Sequence, residues 1–197
     1  MKLSDFFPTL KHLNVPNVIT TLGMVFGIFA AFHLTQRDLR MAIIFLFFAG
    51  VMDAVDGFAA AKLNQQTDFG KYLDTLVDFF TCVIMPIWMV FDLLDNSPLA
   101  IVGLIIYCAC GLWRLAYYNT TESDGYFRGL PVPGSMMLVT MSVWFVVSYD
   151  IPTWVAAATL FIVGILMISG IKLKKYGMWQ KVMGAAGVVF LVLVLIS

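Results

Sequence analysis

Apolar runs of about 20 residues recur along the whole chain, separated only by short polar connections, and this confines the fold to helices packed within a bilayer. Of the 197 residues 61% are hydrophobic and 12% charged, with a mean hydropathy of +0.91. A soluble core of that length could not bury so much apolar surface. Seven candidate spans are read at residues 17–35, 40–62, 70–92, 98–119, 132–149, 152–170 and 178–196. The expected fold is therefore all-α: a polytopic integral membrane helical bundle of about six to seven transmembrane helices, forming a single domain over residues 1–197. Ahead of the first span, Phe6, Phe7, Leu10 and Leu13 alternate with Lys2, Asp5 and Lys11, which predicts a short amphipathic helix at the interface over residues 1–15. That stretch has no apolar h-region or small-residue cleavage site, so no cleavable signal is expected.

Net charge is zero, which argues against a nucleic-acid partner. Cys82, Cys108 and Cys110 have neither disulfide nor metal spacing and read as reduced packing residues. Charge also sets orientation. With the N-terminus cytoplasmic, ten of the twelve Lys and Arg residues fall on or near the cytoplasmic side, and only Arg37 and Arg40 fall outside. The expected topology puts the 62–69 loop in the cytoplasm and the C-terminus outside.

Against this apolar background Asp53, Asp56, Asp74 and Asp78 stand out, because ionisable groups at membrane depth are costly and usually functional. At 100° per residue, Asp53, Asp56, Gly57 and Ala60 share an arc of about 100° on the second span. Gly70, Asp74 and Asp78 share about 80° on the third. In an antiparallel hairpin capped at Thr67 or Asp68, Asp53 levels with Asp78 and Asp56 with Asp74, so the four carboxylates converge. So many like charges cannot all stay ionised in a medium of low polarity without compensation. Divalent cations supply it, and oxygen-only donors favour Mg²⁺, Mn²⁺ or Ca²⁺. Four aspartates suit two bridged ions, which can hold both sides of a displacement at phosphorus. Gly57 and Gly70 would let a phosphate or nucleotide approach the backbone. A cation pathway lined by aspartates, or charges paired to lysines, are the other readings of the same residues.

The spacing of Asp53, Asp56, Gly57, Ala60, Gly70, Asp74 and Asp78, seven positions over 26 residues, resembles the signature of the CDP-alcohol phosphatidyltransferase family. The resemblance implies a membrane-embedded, usually dimeric helical enzyme that transfers a phosphatidyl or related group from a CDP-linked donor to an alcohol and releases CMP. It also implies that Asp53, Asp56, Asp74 and Asp78 hold two divalent cations, that Asp78 is the general base, and that Asp56, Gly57, Ala60, Gly70 and Asp74 embrace the CDP group. Asn17 and Thr20, in Pro16-Asn17-Val18-Ile19-Thr20, resemble the family's polar nucleotide-side residues; a polar helix start would look the same. One departure is Ala61, where the family carries arginine. Lys62, 100° further round, would reach over as a point charge without the bidentate geometry of a guanidinium.

Phe127-Arg128-Gly129-Leu130-Pro131-Val132-Pro133-Gly134 and Arg114-Leu115-Ala116-Tyr117-Tyr118-Asn119 resemble the phosphatidylserine synthase branch, with Tyr117 in place of a second arginine. This implies CDP-diacylglycerol as donor and L-serine as acceptor, in a homodimer of a bacterial or archaeal cytoplasmic membrane, with Arg114, Asn119 and Arg128 on the acceptor. Arg114 could instead snorkel to the interface. Pro131 and Pro133 break the backbone and leave amides free at a helix start. Lys172, Lys174 and Lys175 are read either as binding lipid phosphate or as setting topology. Gly23 and Gly27 form a small-residue face for packing within or between protomers. The remaining readings are another acceptor (glycerol 3-phosphate, inositol phosphate or an amino alcohol), a catalytically silent relative, and a metal-ion transporter.

Overall fold

The protein is described by a computed structural model over residues 6–94, 98–121, 125–174 and 177–196. Seven helices account for most of these residues: α1 (Val15–Thr35), α2 (Leu39–Lys62), α3 (Asp68–Phe91), α4 (Pro98–Thr120), α5 (Val132–Ser148), α6 (Trp154–Met167) and α7 (Met178–Ile196). Local chemistry sets the starts. Asn14 caps α1 by accepting from the Asn17 amide at 2.9 Å, and Asp38 caps α2 through the Met41 amide at 3.0 Å. Thr67, not Asp68, caps α3, its hydroxyl accepting from the Gly70 amide at 3.0 Å. All seven expected spans are helical, but only α1 to α4 and α7 are long and apolar enough to cross a membrane by themselves. At 17 and 14 residues, α5 and α6 reach only about 25 and 21 Å at 1.5 Å per residue, short of a hydrocarbon core of about 30 Å.

Tertiary contacts fix the direction of each pass. His12, just before α1, stacks on Phe69 at the start of α3, and Lys71 reaches the Asn119 carbonyl at the end of α4. At the opposite end Arg40 of α2 donates to the Leu195 carbonyl of α7. Two short strands, β1 (Tyr126–Arg128) and β2 (Lys172–Lys174), pair antiparallel and join the connection after α4 to the connection after α6. Successive helices therefore alternate in direction, and the α2–α3 loop, the ribbon and the start of α7 share one end of the bundle.

The interfacial segment is shorter than a full amphipathic helix. Among the described residues it is a single 3-10 helix, Pro8–His12, because Pro8 and Pro16 bracket it; Phe6 and Leu13 are exposed, and Lys2 and Asp5 lie outside the described residues. The core joins Ile43 and Leu46 of α2 to Met85 and Met89 of α3, Tyr107 of α4 and Val139 of α5. Gly23 and Gly27 pack inside the protomer. A Cβ on Gly27 would fall 2.7 Å from the Thr81 methyl, and one on Gly23 3.3 Å from the Met52 Cβ.

Midway along α3 the hydrogen bonding widens into a π-helical stretch, Phe79–Ile84, directly after Asp78. Pro86 has no N–H to give the Cys82 carbonyl four residues earlier, and the buried Tyr107 hydroxyl donates to that carbonyl at 2.9 Å instead. The irregular turn thus fixes α4 against α3 just beyond the last aspartate.

Gly129 holds the ribbon to the bundle. Its φ is +75°, its amide donates to the Ile171 carbonyl at 2.8 Å, and an added Cβ would lie 2.1 Å from the Met167 carbonyl oxygen. Gly129→Ala is therefore expected to cost about 2 kcal/mol or more, which lowers the thermal midpoint in detergent by about 4–8 °C. An unchanged midpoint would show that the ribbon can detach without loss.

Candidate active site

The carboxylates meet where α2 and α3 converge towards their loop. Asp53, Asp56 and Asp74 each bring a ligand oxygen within 4.8 Å of the others. Asp53 and Asp74 lie within hydrogen-bonding reach of each other across the hairpin. Asp56 is buried and accepts from the Thr20 hydroxyl of α1 at 2.5 Å. Asp78 stands a turn deeper than Asp74, 9% exposed, with Oδ1 accepting from the Cys82 thiol at 3.6 Å. The expected four-way convergence is thus three carboxylates in one cluster and a fourth on the same cavity wall. The donors are all oxygen, with no imidazole among them, and suit a hard divalent cation.

That wall belongs to an open cavity of about 1680 Å³ lined by α1 to α5, β1 and α7. The volume exceeds the range of roughly 300–1,000 Å³ usual for small-molecule pockets. Its polar end holds the four aspartates, Lys71, Arg114 and Arg128. From there an apolar arm continues between α2, α5 and α7, past Phe47, Met136, Met137 and Met183. A single space therefore offers anion-binding and cation-binding groups at one end and hydrocarbon at the other.

The expected CDP-side residues divide. Asn17, Thr20, Gly57, Ala60 and Gly70 all line the cavity. A Cβ on Gly57 would meet nothing within 4 Å, so this position opens to the cavity as a ligand approach requires. Gly70 has a nearer reason for its missing side chain, because a Cβ there would lie 2.7 Å from Asn17 Oδ1 and 3.2 Å from Thr67 Oγ1. Asn17 itself is held by its amide nitrogen, which donates to the His12 carbonyl at 2.8 Å, while Asn14 does the helix capping. Lys62 stands apart from these: it is exposed, lies outside the cavity wall, and its ammonium sits 5.6 Å from the centre of the Phe58 ring one turn back. Ala61 also lies outside the wall.

On the acceptor side Arg114 does not snorkel. It is 5% exposed and lines the cavity, its guanidinium carbon 5.5 Å from the centre of the Tyr118 ring and its Nε without a hydrogen-bond partner among the described residues. Arg128 lines the cavity from β1, opposite Lys172 in the strand register. The Asn119 side chain donates to the Thr75 hydroxyl at 2.7 Å. Val132 and Gly134, in the first turn of α5, line the cavity with no side-chain cap on the helix, and Trp179 closes over Gly134. Lys172 and Lys174 are exposed on β2 and outside the cavity wall, and Lys175 lies outside the described residues. Sequence reasoning missed Lys71 and Tyr118 as cavity residues. Helical angles would have found the lysine, which is about 60° from Asp74 and about 20° from Asp78.

Comparison with known proteins gives the same direction. The chain is 30% identical over 170 residues to the CDP-diacylglycerol–serine O-phosphatidyltransferase of Methanocaldococcus jannaschii, covering 86% of this chain and 78% of that one. It is 32% identical over 132 residues to the Bacillus subtilis protein of the same name, covering 65% and 75%. The Mycobacterium tuberculosis protein of that name is 25% identical over 179 residues, covering 82% of this chain and 61% of the relative. Residues 13–193 match the CDP-alcohol phosphatidyltransferase family, a span that includes the carboxylate hairpin and every wall of the cavity, and the chain belongs to that family.

Proposed function

We propose that the protein transfers the phosphatidyl group of CDP-diacylglycerol to the hydroxyl of L-serine, giving phosphatidylserine and CMP. The observation that carries this reading is the cavity's two-ended character, with clustered carboxylates and arginines at one end and an apolar arm at the other. A lipid with a charged head fits such a space without leaving the bilayer. The names of the relatives support serine as the acceptor.

Asp53, Asp56, Asp74 and Asp78 would hold two divalent cations, Mg²⁺ or Mn²⁺ with Ca²⁺ as the third candidate, which supply neutralisation of the diphosphate. Thr20 holds Asp56 in place, and Asn17, Gly57, Ala60 and Gly70 form the wall against which the CDP moiety rests. Arg114 and Arg128 bind the serine carboxylate, a role suited to guanidinium forks. Asp78 takes the proton of the serine hydroxyl, whose oxygen forms a bond to the lipid-linked phosphorus as the bond to the CMP oxygen breaks. CMP leaves with the bonding pair. The site faces the cytoplasm of a bacterial or archaeal membrane, a placement supported by the cation bias of the sequence. The expected assembly is a homodimer, joined elsewhere than at Gly23 and Gly27, and the domain spans residues 1–197.

The test is CMP release by detergent-purified protein from CDP-diacylglycerol with Mn²⁺ or Mg²⁺, with and without L-serine and against a panel of other alcohols. Serine-dependent release is expected. Release only with another alcohol would overturn the acceptor, and no release with any alcohol would make the chain a silent relative, in line with Ala61 and Tyr117. Arg128→Ala is expected to raise the serine KM about tenfold or more with little change in the donor KM, as befits loss of a charge-assisted bond. Equal effects on both would place Arg128 on the donor.

A further inference from the structure

Lys71 is the one described lysine that lines the cavity, yet its ammonium is turned to the protein. It donates at 2.7 Å to the carbonyl oxygen of Asn119, in the last turn of α4. Carbonyls there have no partner within their own helix, and a cation at a helix C-terminus also meets the negative end of the helix dipole. The contact is reinforced from two sides. The Asn119 side-chain amide donates to the Thr75 hydroxyl at 2.7 Å, and that hydroxyl donates back to the Lys71 carbonyl at 2.8 Å, closing a ring of bonds between the two helices. The Tyr118 ring lies 5.9 Å from the Lys71 ammonium and 5.5 Å from the Arg114 guanidinium carbon, so one aromatic face system serves two cations. The same ring packs against Phe127 of β1 at 6.0 Å.

Asp74 and Asp78 lie on α3 just beyond Lys71, and Arg114 lies on α4 just before Tyr118 and Asn119. The bonds of Lys71 therefore set the distance between the proton-accepting end of the site and the guanidinium that anchors the acceptor. We propose that Lys71 is a positioning residue for acceptor binding, holding the end of α4 through the Asn119 carbonyl and the Tyr118 ring so that Arg114 stands at a fixed spacing from the carboxylates of α3. This rests on the reading of Arg114 as the acceptor's anchor. Lys71 does not touch the acceptor; it acts through Asn119, Tyr118 and Arg114.

Lys71→Met keeps the stem and removes the ammonium. The expected result is a serine KM raised about tenfold, the size of one charge-assisted bond, with the CDP-diacylglycerol KM and Mn²⁺ affinity changed less than about twofold. Lys71→Arg, which retains a donor, should recover most of the affinity. Thr75→Val should raise the serine KM by a smaller factor, and the double variant should fall short of the product of the two, because both act through Asn119. Hydrogen exchange over residues 113–120 should quicken in Lys71→Met, a readout independent of turnover. Equal rises in both KM values, no recovery with arginine, or unchanged exchange would overturn the proposal. The comparison with Arg114→Ala separates the two layers. If Arg114→Ala leaves the serine KM unchanged, the anchor reading fails; if it raises that KM and Lys71→Met does not, the positioning role alone fails.

Discussion

Asp78→Asn is expected to lower kcat by about 10³-fold or more while the KM values for donor and acceptor change little, since loss of a general base removes about 10² to 10⁴ of rate. The geometry separates this residue from the other three aspartates. Asp53, Asp56 and Asp74 share one cluster, whereas Asp78 sits a turn deeper on α3, at the edge of the π-helical stretch. One of its oxygens accepts from the Cys82 thiol, which orients the carboxylate and leaves the other towards the cavity it lines. Asparagine preserves the shape and an acceptor for the thiol but cannot take up a proton. It also removes one negative charge from a crowded, poorly solvated site, so the thermal midpoint without added cations should hold or rise. Activity and stability thus move in opposite directions, which a misfolded variant cannot imitate. Turnover above about a tenth of the wild-type value would place the base elsewhere.

The parts of this fold that could be read from the sequence are those set by local pattern. The apolar runs give all seven helices, and the angular coincidence of Asp53 and Asp56 with Asp74 gives the cluster, because two helices joined by a short loop have little freedom in register. The cap of α3 was legible only as Thr67 or Asp68, and the hydrogen bond from the Gly70 amide decides for Thr67. What the sequence could not place depends on distant partners. Gly27 could have faced a lipid, a second protomer or its own chain; only the position of Thr81 decides. The ribbon joins three residues at 126–128 to three at 172–174, too short for any strand pattern to show, so Arg128 and Lys172 read as separate basic sites rather than as neighbours. A tertiary task was expected of Lys62, and the contact it makes is a local one, with Phe58 on the same helix. Lys71 counted only as a topological charge because its carbonyl partner lies 48 residues away.

Asp53→Asn is expected to abolish both cation-induced stabilisation and turnover. In the hairpin Asp53 faces Asp74 within hydrogen-bonding reach and completes the three-carboxylate cluster with Asp56. Replacing one carboxylate by an amide leaves two anionic donors and a group that can instead donate to Asp74, which converts a like-charge contact into a hydrogen bond. The variant should therefore be at least as stable as the wild type without cations. The wild type should gain about 2.7 kcal/mol for each cation site when Mn²⁺ is present at a hundredfold excess over its Kd, and the variant should gain almost none over the same titration. CMP release should fall by about 10³-fold or more, because preorganised charge stabilisation is usually the largest single contribution to such a reaction. Mn²⁺ binding measured calorimetrically on the detergent-solubilised protein makes the comparison independent of catalysis. A variant that still binds Mn²⁺ with wild-type affinity would show that the ions are held by Asp56, Asp74 and Asp78 without Asp53.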